Sequence, residues 1–217
     1  MAKIKICGIR THADVAIINE FKPDYIGFIM SPKFWRYVSP EQVKALGELA
    51  DSSVKKVGVF VNQPVDEVAK ALSSGIIDLA QLHGAEDRAY EEALFSRLQS
   101  SGIQNPEDRC IKAFRIRNAE DIAKTETTLC GKLLLDAYSE KAEGGTGETF
   151  DWGLIKHVKK PFFLAGGLNS ENISEAIRTV APFAVDASSS LETERRKDRE
   201  KICLFVSAAR ACNHNSI

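Results

Sequence analysis

The sequence contains eight short apolar runs rich in β-forming residues, separated by stretches of helical character and of roughly similar length. Each run is continuous rather than alternating between apolar and polar residues, as expected for strands that are covered on both faces. The runs occupy residues 3–9, 25–30, 55–61, 78–83, 110–116, 133–137, 161–166 and 184–188. Strands that alternate with helical stretches predict repeated βα units and therefore a parallel sheet.

Eight βα units favour an α/β fold in which the sheet closes into a single (β/α)8 TIM barrel. An open, doubly wound sheet is the alternative. Its dinucleotide-binding fingerprint needs several glycines after the first strand, whereas only Gly8 stands there. A chain of 217 residues suits one barrel, and no linker or low-complexity segment interrupts it. We therefore predict one domain over residues 1–217.

Helix-start signals support this organisation. Residues 39–42 offer an N-cap serine, a proline at the first helical position and a capping-box glutamine. Residues 11–14 are a weaker version of the same signal, and Asp198 is placed to cap the last helix. That helix carries an apolar stripe within residues 202–209, which we expect to pack on the strands.

Charge and composition exclude several classes of function. The net charge of −1 provides no broad attraction for nucleic acid or for an anionic membrane. No apolar stretch approaches the ~20 residues of a membrane span, and no signal-peptide pattern is visible. The five cysteines are widely spaced without a Cys-x-x-Cys pair, so neither a disulfide framework nor a zinc site is predicted. We expect a cytoplasmic protein without nucleic-acid or membrane partners.

Functional side chains of a barrel lie where the strands end and the βα loops begin. The sequence places chemically useful residues at these positions. In chain order they are Cys7, residues 31–36, Asn62, Gln81, His83, Arg115, Asp136, Gly166, Gly167, Asp186 and residues 188–190. Because the strand ends of a barrel meet at one rim, these residues are predicted to surround one site.

Two of these residues are candidates for a base and an acid. Cys7 precedes Gly8 at the end of the first strand, and its thiol can act as a base if its pKa falls from ~8.5 toward neutrality. Asp136 ends the sixth strand, where partial desolvation can keep a carboxyl protonated so that it serves as an acid. The other cysteines are interpreted as small buried apolar residues.

The ends of the seventh and eighth strands predict a phosphate site. Gly166 and Gly167 allow backbone N–H groups to approach an anion closely, and Ser188, Ser189 and Ser190 add hydroxyl donors. A tight turn followed by a solvated serine loop is the alternative interpretation. Barrels commonly hold phosphate in this position, which favours the phosphate site.

The loop after the second strand is a candidate ring and carboxylate site. Arg36 can hold a carboxylate with two parallel hydrogen bonds, and its aromatic neighbours Phe34, Trp35 and Tyr37 favour a flat ring. The glycine-rich segment 139–148 is a candidate lid over a ligand. His83 is equally compatible with a packed, hydrogen-bonded histidine and with a catalytic one.

Several segments together resemble the phosphoribosylanthranilate isomerase family of tryptophan biosynthesis. Each segment is weakly specific alone, but their order and spacing are highly specific. They are residues 5–9, 27–28, 36–40, 57–62, 81–84, 135–137, 144–147, 163–168 and 186–189.

The resemblance implies a (β/α)8 barrel that performs an Amadori rearrangement on a phosphosugar carrying an anthranilate ring, without metal or organic cofactor. It implies that Cys7 is the general base and Asp136 the general acid. Arg36 corresponds to the arginine that holds the anthranilate carboxylate. The implied phosphate site consists of Gly166, Gly167, Ser188 and Ser189, and Gln81 and Asp186 are further candidates for substrate binding.

One segment departs from the family pattern. The family usually has glycine where this chain has Ser190, and a proline-glycine turn where residues 193–196 are mostly charged. If Ser190 had to adopt a positive φ, the cost would be ~1 kcal/mol or more. This departure motivates one alternative, a non-catalytic phosphosugar-binding relic. Another phosphosugar isomerase barrel is a separate alternative. No exposed apolar stripe demands a partner, so we expect a monomer.

Overall fold

Eight parallel strands form a closed barrel in the computed structural model, which describes residues 1–136, 152–155 and 158–212. Each strand pairs with the next in chain order, and β8 returns to pair with β1. The strands are β1 Lys3–Cys7, β2 Tyr25–Ile29, β3 Lys55–Phe60, β4 Leu79–Leu82, β5 Cys110–Arg115, β6 Lys132–Asp136, β7 Phe162–Ala165 and β8 Ala184–Ala187. The predicted barrel is confirmed, and the open sheet is excluded.

Helices of the described residues connect the strands on the outside of the barrel. They are α1 His12–Phe21, α2 Pro40–Leu49, α3 Val65–Ser73, α4 Arg88–Ser100, α5 Ala119–Thr125, α6 Ile173–Val180 and α7 Arg199–Cys212. Short 3₁₀ helices span Pro106–Arg109, Trp152–Ile155 and Ser189–Leu191. No helix within the described ranges is long and apolar enough to cross a membrane.

Two apolar cores hold the barrel together. The larger core lies between the strands and the surrounding helices, and the stripe predicted on α7 is buried there. The smaller core fills the barrel interior, where the rings of Tyr25 and Phe163 meet edge to face with centroids 5.3 Å apart. Alternate residues of each strand therefore face the two cores in turn, which explains why the apolar runs are continuous.

The predicted strands extend one or two residues too far at most of their C-terminal ends. The first was predicted to reach residue 9, but β1 ends at Cys7 because Gly8 adopts a positive φ of 84°. Ile9 is nevertheless fully buried. Its apolar side chain is explained by packing and not by membership of a strand. The same overrun occurs at β3 and β4, where the last predicted residues belong to loops.

The predicted helix caps are confirmed, and the signal at residues 11–14 is stronger than expected. Both Ser39 with Gln42 and Thr11 with Asp14 form complete capping boxes. The Asp198 carboxylate accepts backbone N–H bonds in the first turn of α7. These caps satisfy N–H groups that have no partner inside the helix.

A small antiparallel hairpin follows β8 and was not predicted. Its strands are β9 Glu192–Thr193 and β10 Arg196–Lys197, joined by a turn in which Glu194 and Arg195 have φ values of 49° and 62°. Glycine or asparagine is usual in such a turn, so the sequence carried no hairpin signal.

Ser190 does not adopt the positive φ that would have strained its backbone. Ser190 lies in the 3₁₀ helix Ser189–Leu191 and is not among the described residues with positive φ. Its hydroxyl donates to the carbonyl oxygen of Leu168, which ties the end of β8 to the loop after β7. The unusual backbone of this region therefore lies in the hairpin turn and not at the serine.

Candidate active site

A cavity of about 590 Å³ opens at the rim formed by the C-terminal ends of the strands. The residues assigned from the sequence to catalysis or substrate binding line it, whereas Asn62 and Arg115, also predicted at the rim, are not part of its wall. The assigned residues are Cys7, Arg36, Gln81, Asp136, Gly166, Gly167, Asp186, Ser188 and Ser189. Phe34 and Trp35 also line the cavity, whereas Tyr37 is not part of its wall. The candidate lid 139–148 lies outside the described residues.

Strand periodicity explains how these side chains reach the cavity. Leu79, Leu134 and Ala184 belong to the interior core of the barrel. The residues two positions further along the same strands face the same way. Gln81 and Asp136 are two such positions, and both lie above the interior core at the rim.

Gly27 makes room for the thiol of Cys7. The two residues are paired neighbours on β2 and β1. A Cβ atom at Gly27 would lie 2.6 Å from the Sγ atom of Cys7, well inside contact distance. The position of the thiol therefore depends on the absence of a side chain on the neighbouring strand.

We expect Gly27→Ala to lower kcat at least about tenfold, because the new methyl group must displace the Cys7 thiol and a small misplacement of a reacting group is costly. Steady-state kinetics with the family's substrate measures the effect. Gly58→Ala is the matched control: its Cβ would crowd Ile77, Met30 and Phe60 outside the barrel interior. The control should lower the melting temperature and leave kcat nearly unchanged. An equal loss of kcat in both variants would contradict the steric argument.

A buried ion pair lies directly below Cys7 and was missed by the sequence analysis. The Lys5 ammonium is 2.8 Å from Asp186 Oδ2, and the Lys5 side chain is 0% exposed. The two residues are paired neighbours on β1 and β8. A lysine two positions before Cys7, inside a run that reads as a buried strand, was the available signal.

The protonation of Cys7 is set by opposing influences. Burial raises the pKa of the Cys7 thiol, and the positive charge of Lys5 acts against burial. The carboxylate of Asp186 raises the pKa further, whereas the charge of Lys197 lowers it, and the net direction is upward. Burial therefore works against the lowered pKa that the sequence analysis set as the condition for a thiol base.

Asp136 has the environment expected of an acid. Burial raises the pKa of its carboxyl group, the charge of Arg115 lowers it, and the charge of Asp186 adds to the increase, with a net upward shift. Arg115 and Asp136 are paired neighbours on β5 and β6. The carboxyl group therefore keeps its proton to a higher pH than an exposed aspartate would.

His83 is a hydrogen-bonded, uncharged residue at neutral pH. Its Nδ1 atom lies 2.7 Å from Gln81 Nε2. Burial, together with the positive charges of Lys5 and Lys112, lowers the pKa of His83 to about 4. The imidazole thus fixes the Gln81 amide rather than carrying a charge.

Two buried acceptor atoms in the cavity wall are left without a hydrogen-bond partner in the described structure. They are Gln81 Oε1 and Asp186 Oδ1. A buried acceptor without a partner is costly, and a ligand that brings hydroxyl or N–H donors removes that cost. The base of the cavity is therefore suited to a polyhydroxylated ligand.

Arg36 is held in place by a carboxylate of the chain itself. Its Nε and Nη2 atoms donate to Glu192 at 3.1 and 2.8 Å, and its guanidinium carbon lies 4.2 Å from the centroid of the Trp35 ring. Glu192 also accepts from the buried ammonium of Lys197 at 2.8 Å. Neither Glu192 nor Lys197 was singled out from the sequence, because the hairpin that carries them was not predicted.

The phosphate site predicted after β7 and β8 offers fewer free hydroxyl donors than expected. Gly166 and Gly167 have φ values of 96° and 64°, a backbone region that favours glycine. The hydroxyl of Ser188 donates to the carbonyl oxygen of Cys7 at 3.0 Å and is therefore used internally. Ser189 opens a 3₁₀ helix, whose first N–H groups have no partner inside the helix.

Comparison with known proteins points to one family. A family model described as N-(5'phosphoribosyl)anthranilate (PRA) isomerase matches residues 4–208. The N-(5'-phosphoribosyl)anthranilate isomerase of Thermoanaerobacter sp. strain X514 is 40% identical over 213 residues, covering 97% of this chain and 98% of the relative. The isomerase of the same name from Clostridium acetobutylicum is 37% identical over 214 residues, with 97% and 98% coverage.

Solved structures agree with the sequence relatives. The phosphoribosyl anthranilate isomerase from Thermotoga maritima superposes with a TM-score of 0.82 at 33% identity, covering 97% of this chain and 100% of that chain. A phosphoribosyl anthranilate isomerase in complex with reduced 1-(o-carboxyphenylamino)-1-deoxyribulose 5-phosphate has a TM-score of 0.79 at 32% identity, with 97% and 100% coverage. The similarity extends over nearly the whole chain in both.

Proposed function

The chain belongs to the N-(5'-phosphoribosyl)anthranilate isomerase family, and on that premise we propose that its rim cavity carries out the family's reaction. The enzyme converts N-(5'-phosphoribosyl)anthranilate to 1-(2-carboxyphenylamino)-1-deoxyribulose 5-phosphate, a step of tryptophan biosynthesis. The site assignment rests on one observation: Cys7 and Asp136 line the same cavity as Arg36, Gly166 and Gly167.

The substrate has three parts, and the cavity offers a matching environment for each. The anthranilate ring and its carboxylate belong beside Trp35 and Arg36, which combine an aromatic surface with a guanidinium. The phosphate belongs at Gly167 and Ser189, where backbone N–H groups are accessible. The ribose then lies between these ends, within reach of the thiol and the carboxyl group.

We assign the first chemical step to Asp136. Its carboxyl group donates a proton to the ribose ring oxygen while the bond between that oxygen and C1 breaks. The anthranilate nitrogen supplies its lone pair to C1, which forms an iminium ion and a hydroxyl group at C4. A carboxyl group with a raised pKa is suited to this role because it keeps its proton to a higher pH than an exposed aspartate does.

We assign the second step to Cys7. The iminium ion makes the hydrogen at C2 acidic, and the Cys7 thiolate takes it as a proton. The electrons of the C2–H bond form a C1–C2 double bond and neutralise the nitrogen, giving an enolamine. Loss of the proton from the C2 hydroxyl and protonation at C1 then yield the ketone, so that no atom is gained or lost overall.

The two unpartnered acceptors fit the sugar. Gln81 Oε1 and Asp186 Oδ1 would each accept a hydrogen bond from a ribose hydroxyl, which removes the cost of their burial. Such bonds would hold the sugar while its ring opens, and they assign both residues to substrate binding.

The decisive experiment is a steady-state assay that follows the loss of phosphoribosylanthranilate fluorescence with the purified protein. We expect saturable turnover with release of the ketose product. Tight binding of a reduced product analogue without any turnover would instead favour a non-catalytic phosphosugar-binding relic. The expected monomeric state is a separate prediction, which sedimentation equilibrium measures.

Arg36→Met is expected to raise KM about 10- to 100-fold with a much smaller change in kcat, because a charge-assisted contact to the substrate carboxylate is worth about 1.5–3 kcal/mol. Steady-state kinetics separates the two parameters. Arg195→Met is the matched control: Arg195 also lies over the Trp35 ring, at 5.2 Å, but is not part of the cavity wall. An equal increase of KM in both variants would show that only the Trp35 stack matters.

A further inference from the structure

We propose that Lys5 is a positioning residue of this site, whose buried ammonium is held by Asp186 and stabilises the thiolate form of Cys7. The inference deepens the proposed function and rests on it, since Cys7 is the base only in that mechanism. It assigns a role to Lys5, a buried charged residue that the chemistry described above does not use.

The ammonium and the thiol project into the barrel interior from successive inward-facing positions of β1. Lys5 and Cys7 are two positions apart on β1, so their side chains project to the same side. The Lys5 ammonium lies 2.8 Å from Asp186 Oδ2, and its positive charge lowers the pKa of the Cys7 thiol. A lysine with no exposed surface cannot place its charge in solvent, so its electric field acts inside the cavity.

Each neighbouring strand has a defined contribution to the charge around the thiol. On β2, Gly27 brings no side chain, and burial raises the pKa of Tyr25, which keeps that phenol uncharged. On β8, Asp186 brings a negative charge. Lys197, on β10 of the hairpin, brings a positive charge that is paired with Glu192. Lys5 is therefore the cation that faces Cys7 from within the barrel.

The Lys5 ammonium keeps its positive charge, and it counteracts the effect of burial, which raises the pKa of Asp186. Burial alone would lower the pKa of Lys5, but the negative charges and hydrogen bonds of Asp186 and Cys7 outweigh burial and raise it. A cation fixed beside the thiol compensates the negative charge that forms when the thiol loses its proton. Without it, Asp186 would face Cys7 as an uncompensated negative charge and would disfavour the thiolate.

The test measures the thiolate at Cys7 directly, without substrate. The pH dependence of iodoacetamide alkylation at Cys7 is followed by peptide mass spectrometry in the wild-type chain and in Lys5→Met, Lys5→Arg and Asp186→Asn. Thermal unfolding of each variant reports folding. The value of kcat/KM at neutral pH is measured in parallel.

We expect Lys5→Met to move the alkylation midpoint up by about 1–3 pH units, because it removes an opposite charge next to the thiol. The value of kcat/KM at neutral pH should fall about tenfold or more, and Lys5→Arg should restore both quantities in large part. Asp186→Asn should move the midpoint down, since Lys5 then has Cys7 as its remaining negative partner. Opposite shifts in these variants are not expected from a purely structural role.

An unchanged midpoint in Lys5→Met, or shifts of the same sign in Lys5→Met and Asp186→Asn, would overturn the inference. If Lys5→Met does not fold, Lys5→Arg and Asp186→Asn decide by the same readout: a midpoint unmoved by Asp186→Asn rejects the inference. Failure of the proposed function looks different. A wild-type protein without turnover, but with these alkylation shifts, would reject the isomerase assignment and retain the action of Lys5 on Cys7.

Discussion

Replacing Cys7 with alanine is expected to lower kcat about 10²–10⁴-fold while KM changes little. The thiolate removes the proton from C2 of the open-chain iminium, and no other group assigned to this site has that role. The residues assigned to the phosphate and to the carboxylate are elsewhere in the wall, so substrate binding survives. Steady-state kinetics across a range of substrate concentrations separates the two parameters.

The identity of the base can be tested further with two serine variants. Cys7→Ser keeps the size of the side chain but offers a hydroxyl group whose proton is far harder to remove, so it should be nearly as slow as alanine. Cys203→Ser changes a half-buried cysteine of α7 that is not part of the cavity, and it should retain wild-type kcat. Turnover near the wild-type rate in Cys7→Ala would reject Cys7 as the base.

The proposed mechanism requires Cys7 without its proton and Asp136 with its proton. Burial raises the pKa of Cys7 and also that of Asp136. An ordinary thiol already loses its proton only near pH 8.5 and an ordinary carboxyl near pH 4. At neutral pH the thiolate is therefore a minor form, and any interaction that favours it raises the rate directly. The buried ammonium of Lys5 is such an interaction.

The parts of the structure that were predictable are those encoded by local periodicity. A strand covered on both faces must be apolar throughout, so the eight runs were visible without any knowledge of their pairing. Barrel closure then required that Cys7 and Asp136 meet at one rim, although 129 positions separate them in the numbering. The capping boxes at residues 11–14 and 39–42 were equally local signals.

The parts that were not predictable depend on pairing between distant side chains. Lys5 and Asp186 are 181 positions apart, and nothing near either residue in the sequence indicates its partner. Glu192 forms an ion pair with Arg36 from a hairpin that turns at Glu194 and Arg195. Both have positive φ, which glutamate and arginine rarely adopt. The hairpin therefore depends on tertiary contacts that local sequence rules do not describe.

One such contact is visible around Trp35. The carbonyl oxygen of Arg195 accepts a hydrogen bond from Arg10, and the guanidinium groups of both residues lie over the Trp35 ring. These interactions lie at the turn of the same hairpin whose first strand carries Glu192, the partner of Arg36. The charged turn that departs from the family pattern therefore contacts the cavity wall, because Arg195 lies over Trp35.

Asp136→Asn is expected to lower kcat about 10²–10⁴-fold with little change in KM, because an amide has the shape of the carboxyl group but no acidic proton for the ribose ring oxygen. The lost step differs from the step lost in Cys7→Ala, and a substrate deuterated at C2 distinguishes them. Ring opening becomes rate-limiting in Asp136→Asn, so the isotope effect on kcat should approach one. In Cys7→Ser, where removal of the C2 proton is slow, the isotope effect should be fully expressed.

The matched control for the loss of a carboxylate is Asp66→Asn. Asp66 lies on the surface in an exposed ion pair with Arg97, and it is not part of the cavity wall. Exposed pairs of this kind contribute little to stability, so both kcat and the isotope effect should match the wild type. A large C2 isotope effect that persists in a slow Asp136→Asn variant would mean that ring opening does not depend on this carboxyl group. The proton for the ring oxygen would then have to come from another donor at the rim.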